Sequence, residues 1–252
     1  YSPNKFFINS IKKQMPNPYF QFKQFTIYQD RCSMKVGTDG VLLGAWADCS
    51  SSQNFLDIGT GTGLIALMLA QRSPKAIIHA VEIDEESSTQ AMENVLSSPF
   101  SEQIKVHNTS IQSFSNEATE TFDLIVSNPP YFENNLKCPS ENRSLARHTD
   151  ALSFEELIDC ALHLLAPNGK FCVILPTEEA IRFSLLAQQK GLFLSHQTKV
   201  FPLVEKEEKR RLLCFSQENV PTTEDSLIIE LERHIYTEEF KTLTKDFYLD
   251  KK

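Results

Sequence analysis

Asn54-Phe55-Leu56-Asp57-Ile58-Gly59-Thr60-Gly61-Thr62-Gly63-Leu64-Ile65-Ala66-Leu67 is the stretch on which the fold turns. A short apolar run of strand length leads into three alternate glycines, and an apolar segment that continues to Gln71 begins at Leu64. Glycine reaches positive φ at no steric cost and lets a ligand approach the main chain with no Cβ in the way. Only eight glycines occur in 252 residues, and six of them (Gly37, Gly40, Gly44, Gly59, Gly61, Gly63) fall between positions 37 and 63. The spacing predicts a strand, a ligand-binding turn and a helix over Leu64–Gln71.

Outward from this unit the pattern keeps alternating. Ala76–Ile83 reads as a strand, Glu85–Leu96 as a helix, and Ile104–His107 and Phe122–Val126 as strands. Ser153 and Glu156 have capping-box spacing for a helix ending near Leu165, and Pro167-Asn168-Gly169 reads as a turn into a strand at Lys170–Leu175. Thr177 reads as the cap of a helix that reaches Lys190 and stops at Gly191. Strands at Leu192–Val200 and Arg211–Phe215, a loop at Ser216–Asp225, a strand at Ser226–Leu231 and a short helix around Glu238–Phe247 complete the expectation. Alternating strands and helices imply an α/β fold: parallel strands need crossovers, so helices cover both faces of a mostly parallel sheet. Ligands of such sheets bind beyond the carboxyl ends of the strands.

Composition narrows the class. Hydrophobic residues make up 41% and charged residues 23%, a globular balance that excludes a disordered chain. The longest apolar run, Leu64 to Ala70, is far short of the ~20 residues of a bilayer crossing, so no membrane partner is expected. Cys32, Cys49, Cys138, Cys160, Cys172 and Cys214 are widely spaced, with no C-x-x-C pair, and the expectation is a cytoplasmic, reduced protein without a metal site. Residues 1–35 carry six basic side chains against Asp30 alone in a chain of net charge −8. A nucleic-acid partner would therefore be met through a local basic surface.

Two constellations carry chemistry. Asp57 to Gly63, with Glu82 closing the next strand, is the arrangement that binds an adenosine-containing cofactor: the glycines let the backbone pass close, and the acid accepts from ribose hydroxyls. The G-x-G-x-x-A match at Gly61–Ala66 leaves a nicotinamide oxidoreductase open. Asp57 weighs against it, because a carboxylate suits a cationic amino group and is awkward beside a pyrophosphate. Phe122-Asp123-Leu124-Ile125-Val126-Ser127 runs straight into Asn128-Pro129-Pro130-Tyr131. Two prolines remove two backbone donors and stiffen the loop. The Asn128 side-chain carbonyl and the Pro129 main-chain carbonyl then make convergent acceptors for a planar –NH₂ group, and Tyr131 offers a face for stacking.

These residues resemble the glycine-rich, acidic and N-P-P-Y motifs of class I S-adenosylmethionine-dependent methyltransferases that act on exocyclic amines. A narrower likeness lies in Met34-Lys35-Val36-Gly37-Thr38-Asp39-Gly40-Val41-Leu42-Leu43-Gly44-Ala45-Trp46, which is similar to the lead-in segment of the bacterial tRNA1(Val) (adenine(37)-N6)-methyltransferases. The resemblance runs from about Pro18 to Leu249. It implies a Rossmann-like class I methyltransferase domain at 36–252 with a seven-stranded sheet, behind a lead-in at 1–35. It implies S-adenosyl-L-methionine as cofactor and tRNA as partner; the sequence leaves the oligomeric state open, with a monomer the first expectation. It assigns catalysis to Asn128, Pro129, Pro130 and Tyr131, and cofactor binding to Lys35, Thr38, Asp57, Gly59, Gly61, Gly63, Glu82, Ser110, Ile111 and Asn128. Ser110 stands where the family commonly has an acid, so it accepts from the adenine amine without charge assistance.

The expected mechanism is positional. Hydrogen bonds to Asn128 and Pro129 localise the adenine amine's lone pair for in-line attack on the sulfonium methyl, and the product loses its proton without a dedicated base. The 132–150 connection, with Arg143, Arg147 and His148, reads as a substrate-gripping lid. Lys206, Lys209, Arg210 and Arg211 are candidate phosphate contacts interleaved with Glu205, Glu207 and Glu208. Other targets remain open: a ribosomal RNA or DNA base amine, or a protein glutamine amide. A catalytically silent RNA-binding protein is the alternative of another class.

Overall fold

A computed structural model of the chain describes residues 17–32, 34–50, 53–130 and 152–249. The expectations for Tyr131, Arg143, Arg147, His148 and the 132–150 connection lie outside the described residues. An antiparallel hairpin, β1 (Tyr19–Gln21) and β2 (Thr26–Tyr28), comes first. There follow α1 (Thr38–Trp46), β3 (Asn54–Ile58), α2 (Leu64–Arg72), β4 (Ile77–Glu82), α3 (Glu85–Leu96), β5 (Ile104–Asn108), α4 (Ile111–Glu117) and β6 (Phe122–Ser127). Beyond residue 151 lie α5 (Phe154–Leu164), β7 (Leu165–Pro176), α6 (Thr177–Gln189), β8 (Phe193–Leu203), β9 (Arg210–Ser216), β10 (Thr223–Glu232), β11 (Ile235–Tyr236) and α7 (Glu238–Thr244).

The main sheet has the order β11-β10-β8-β9-β7-β6-β3-β4-β5. From β3 the chain steps outward through β4 to β5, all parallel, and then crosses back to lay β6 on the other side of β3. The gap between those two excursions is the topological switch point, where the carboxyl ends of β3, β4 and β6 are free to hold a ligand. Strand β9 runs antiparallel between β7 and β8. Helices α1, α2 and α3 pack on one face, with Leu42, Met68 and Val95 in a core that also takes Phe22, Phe25 and Ile27 from the hairpin. Helices α4, α5 and α6 cover the other with Phe114, Leu157 and Phe183.

Several expectations are corrected. Among the described residues the main sheet has nine strands where seven were expected, because β10 and β11 extend the β8 edge. Strand β10 begins at Thr223 inside the expected loop: Gln197 Nε2 and the Lys199 ammonium hold the Glu224 carboxylate, and Asp225 takes Thr198 Oγ1 and His196. Pro167-Asn168-Gly169 is a bulge inside β7, not a turn before it, where the pairing with β6 shifts register. A Cβ on Gly169 would lie 2.8 Å from the Phe122 carbonyl oxygen, so only glycine fits there. Thr177 is not the cap of α6: it is the first helical residue, Pro176 holds the capping position, and Thr177 Oγ1 has no partner among the described residues. Helix α1 had no periodic polar face to announce it, since all of Gly40–Ala45 is buried. Gly40 and Gly44 lie one turn apart, and a Cβ on Gly44 would meet Met68 Sδ at 2.8 Å, so this stripe admits α2. No helix of the described residues is long and apolar enough to cross a membrane.

Beneath α4, His79 of β4 and His107 of β5 stack with centroids 5.0 Å apart and lie edge-on to Phe114. Burial pushes both imidazoles below the ordinary histidine range, with Lys105 reinforcing the effect and Glu120 opposing it. The folded protein therefore resists protons that the unfolded chain takes up below about pH 6.5, and stability falls as the pH drops through that value. Burial raises Asp57 to about 7, which acts in the opposite direction over the same range. The comparison is thus made against the double variant His79→Gln/His107→Gln. Its urea midpoint is expected to lose less than the parent's between pH 7.5 and pH 5.5; equal losses would contradict the assignment.

Candidate active site

At the switch point a cleft of about 270 Å³ opens beyond β3, β4 and β6. Its floor is the glycine-rich turn. Gly59 N and Thr60 N donate to the Val81 carbonyl at 2.9 and 3.1 Å, tying the end of β3 to β4. Gly59, Gly61 and Gly63 have φ of 71°, 55° and 81°. A Cβ at Gly59 or Gly61 would meet nothing within 4 Å, so both face open space at the cleft. Gly63 does different work: it opens α2, and a Cβ there would lie 3.5 Å from Ala91 of α3.

Two carboxylates support the turn from different sides. Asp57 is completely buried, and its Oδ2 accepts from Thr60 Oγ1 at 2.6 Å and Ala66 N at 3.2 Å. It therefore braces the turn from beneath through Oδ2, while its buried Oδ1 has no hydrogen-bond partner among the described residues. Glu82 is half-buried on the wall. Its Oε2 accepts from Gly61 N at 2.9 Å and its Oε1 from Asp84 N at 3.0 Å, so both oxygens are held at the rim with lone pairs to spare. Opposite, Ser110 caps α4 by accepting from Ser113 N at 3.1 Å, and Ser110 and Ile111 both line the cleft.

Asn128 follows β6 directly. Ser127 Oγ donates to the Ile58 carbonyl at 2.9 Å, which locks the ends of β6 and β3 together and sets the direction of the next residue. Asn128 lines the cleft, and its buried Oδ1 has no hydrogen-bond partner among the described residues. Pro130 lines the cleft while Pro129 is buried. A buried acceptor left unpaired costs ~1–3 kcal/mol, so Asn128 Oδ1 stands open to a donor that enters the cleft.

Lys35 and Thr38 do not line the cleft, against expectation. The Lys35 ammonium donates to the Gln29 carbonyl, and Thr38 opens α1. Cys32 and Met34 line it, together with Ile83, Ser87 and Leu152, none of which was assigned to the site from the sequence. The position of Ile83 next to Glu82 and that of Met34 at the head of the Met34–Trp46 segment were usable signals; nothing in the sequence marked Cys32, Ser87 or Leu152 for the cleft. At the β8–β9 turn, Arg210 pairs with Asp39 and Arg211 with Glu208, so these two bases are engaged within the fold. A second recess of about 320 Å³ between α6 and β8 holds none of the motif residues.

The residues at the cleft fit S-adenosylmethionine on the structure's own terms. The backbone is open at Gly59 and Gly61, a fixed carboxylate stands at the rim, and an unsatisfied amide oxygen lies at the end of β6. Residues 37–201 match the methyltransferase small domain family. The chain is 54% identical over 236 residues to a tRNA1(Val) (adenine(37)-N6)-methyltransferase of Phocaeicola vulgatus, covering 94% of this chain and 100% of that one. It is 53% identical over 232 residues to a protein of the same description from Trichodesmium erythraeum, covering 91% and 97%. The crystal structure of a predicted O-methyltransferase from Agrobacterium tumefaciens superposes with a TM-score of 0.65 at 21% identity, over 83% of this chain and 96% of that one, a likeness of fold.

Proposed function

The chain belongs to the tRNA1(Val) (adenine(37)-N6)-methyltransferase family, and from that premise we propose that it methylates the 6-amino group of adenosine 37 in tRNA1(Val). S-adenosylmethionine, when bound, supplies a methyl group activated by its sulfonium. Glu82, fixed by Gly61 N and Asp84 N, takes the ribose hydroxyls of that cofactor, and Ser110 at the head of α4 reads its adenine end. Asn128 Oδ1 and the Pro129 carbonyl accept the two N–H groups of the target amine. Held this way, the nitrogen lone pair leaves conjugation with the purine ring and points along the line of attack. Orientation of two held reactants lowers such barriers by ~7–11 kcal/mol, so the chain needs no nucleophile of its own.

The observation that carries this reading is the unpartnered Asn128 Oδ1 at the cleft. An anticodon-loop adenosine suits it, because swinging a loop base into a pocket costs only a few kcal/mol. The test offers radiolabelled S-adenosylmethionine with unmodified tRNA, ribosomal RNA and protein in parallel, then digests the labelled product. Label is expected in 6-methyladenosine from position 37 of tRNA1(Val). Label in ribosomal RNA or in glutamine amides, with none in tRNA, overturns the reading.

A further inference from the structure

Cys32 and Met34 stand on the wall of the cleft that carries Glu82, outside both sequence motifs. The chain that delivers them runs along α3 on buried amides. Asn94, fully buried, accepts from Tyr28 N and donates to the carbonyls of Tyr28 and Thr62, each at 2.9 Å. Gln90, one turn nearer the cleft, accepts from Arg31 N at 3.1 Å. Cys32 then lies against Ser87, a further turn along and itself on the cleft wall. Positions 94, 90 and 87 share one face of α3, so the helix guides this chain to its own N-terminus. The buried Gln29 closes the return: its Oε1 accepts from Val36 N at 2.7 Å, its Nε2 donates to the Asn17 carbonyl at 3.0 Å, and its own carbonyl takes the Lys35 ammonium.

These bonds anchor Arg31 on one side and Lys35 and Val36 on the other, yet Met34 is 52% exposed at the rim of the cleft. A methionine flanked by anchored residues and left uncovered presents an adaptable apolar surface to whatever enters. We propose that Met34 is a cofactor-binding residue that closes over the ribose side of S-adenosylmethionine, with Gln29 as a positioning residue acting through it. This rests on the reading that the cleft takes that cofactor.

The test titrates S-adenosylhomocysteine into the full-length protein by calorimetry, without RNA. Met34→Ala is expected to weaken binding about tenfold, the size of effect that losing part of one buried apolar side chain produces, and Met34→Leu to restore it to within about twofold of the parent. Gln29→Ala is expected to weaken binding in the parent and to add less than about twofold in the Met34→Ala background, since coupled sites are not additive. With tRNA present, Met34→Ala should raise KM for the methyl donor far more than it lowers kcat. Parent-like binding by Met34→Ala overturns the proposal, as does an undiminished Gln29→Ala effect in the Met34→Ala background. If Gln29→Ala fails to fold, the Met34 pair decides alone. Label reaching a substrate other than tRNA, with the Met34 contrast intact, overturns the functional reading and leaves this inference standing; no binding by the parent overturns both.

Discussion

Asn128→Ala is expected to keep S-adenosylhomocysteine affinity within about threefold of the parent while kcat for tRNA methylation falls about 10²–10³-fold, the loss seen when one preorganised hydrogen-bonding group at a reacting centre is removed. The separation follows from geometry. On the proposed reading the cofactor's ribose is held by Glu82 and the open backbone at Gly61, so alanine at 128 removes little of that binding. What it removes is the one side-chain acceptor at the end of β6, whose Oδ1 has no partner among the described residues. Stability gives an independent check. Deleting a polar atom that the fold leaves unsatisfied relieves a desolvation cost, so the thermal midpoint of Asn128→Ala should stay level or rise as activity collapses. A variant that keeps more than about a third of the parental kcat would sink the orienting role.

The second large effect belongs to Glu82. Glu82→Ala should raise the dissociation constant for S-adenosylhomocysteine about 10²-fold or more. Hydrogen bonds to a carboxylate contribute ~1.5–3 kcal/mol each, and the substitution removes the partner of two ribose hydroxyls. It also frees Gly61 N and Asp84 N, which the two carboxylate oxygens hold at 2.9 and 3.0 Å, so the turn loses its brace as well as its ligand. Glu82→Gln separates the two contributions: one oxygen survives to receive Gly61 N, and an intermediate loss of about tenfold is expected. Calorimetry settles the order, and a Gln variant weaker than the Ala variant would contradict it.

Much of this architecture could be read before any coordinates. The unit from Asn54 to the helix beginning at Leu64 was legible because apolar periodicity and a glycine cluster are local signals, and β3, α2, β4 and α3 fall within one residue or so of their expected limits. Errors fell where a long-range partner overrides a local preference. Pro167-Asn168-Gly169 has turn chemistry, yet pairing with Phe122 draws it into β7 as a bulge. Residues 223–225 look like loop until Gln197, Thr198 and Lys199 across β8 supply partners for their acids. Helix α1 stayed hidden because burial on all sides erases the period that reveals a helix.

The sequence by itself determined the alternation of strands and helices, the glycine turn, the acid closing β4 and the Asn-Pro-Pro loop after β6, since each depends on residues within a few positions of one another. Only the tertiary structure decided which of these groups face the cleft. It sent Asp57 under the turn, turned Gly63 against Ala91, engaged Lys35 with Gln29, and brought Cys32 and Met34 to the wall in their place. The reason is that a side chain's direction at a strand end is set by what the neighbouring strands and helices offer it, and those neighbours lie tens of residues away along the chain.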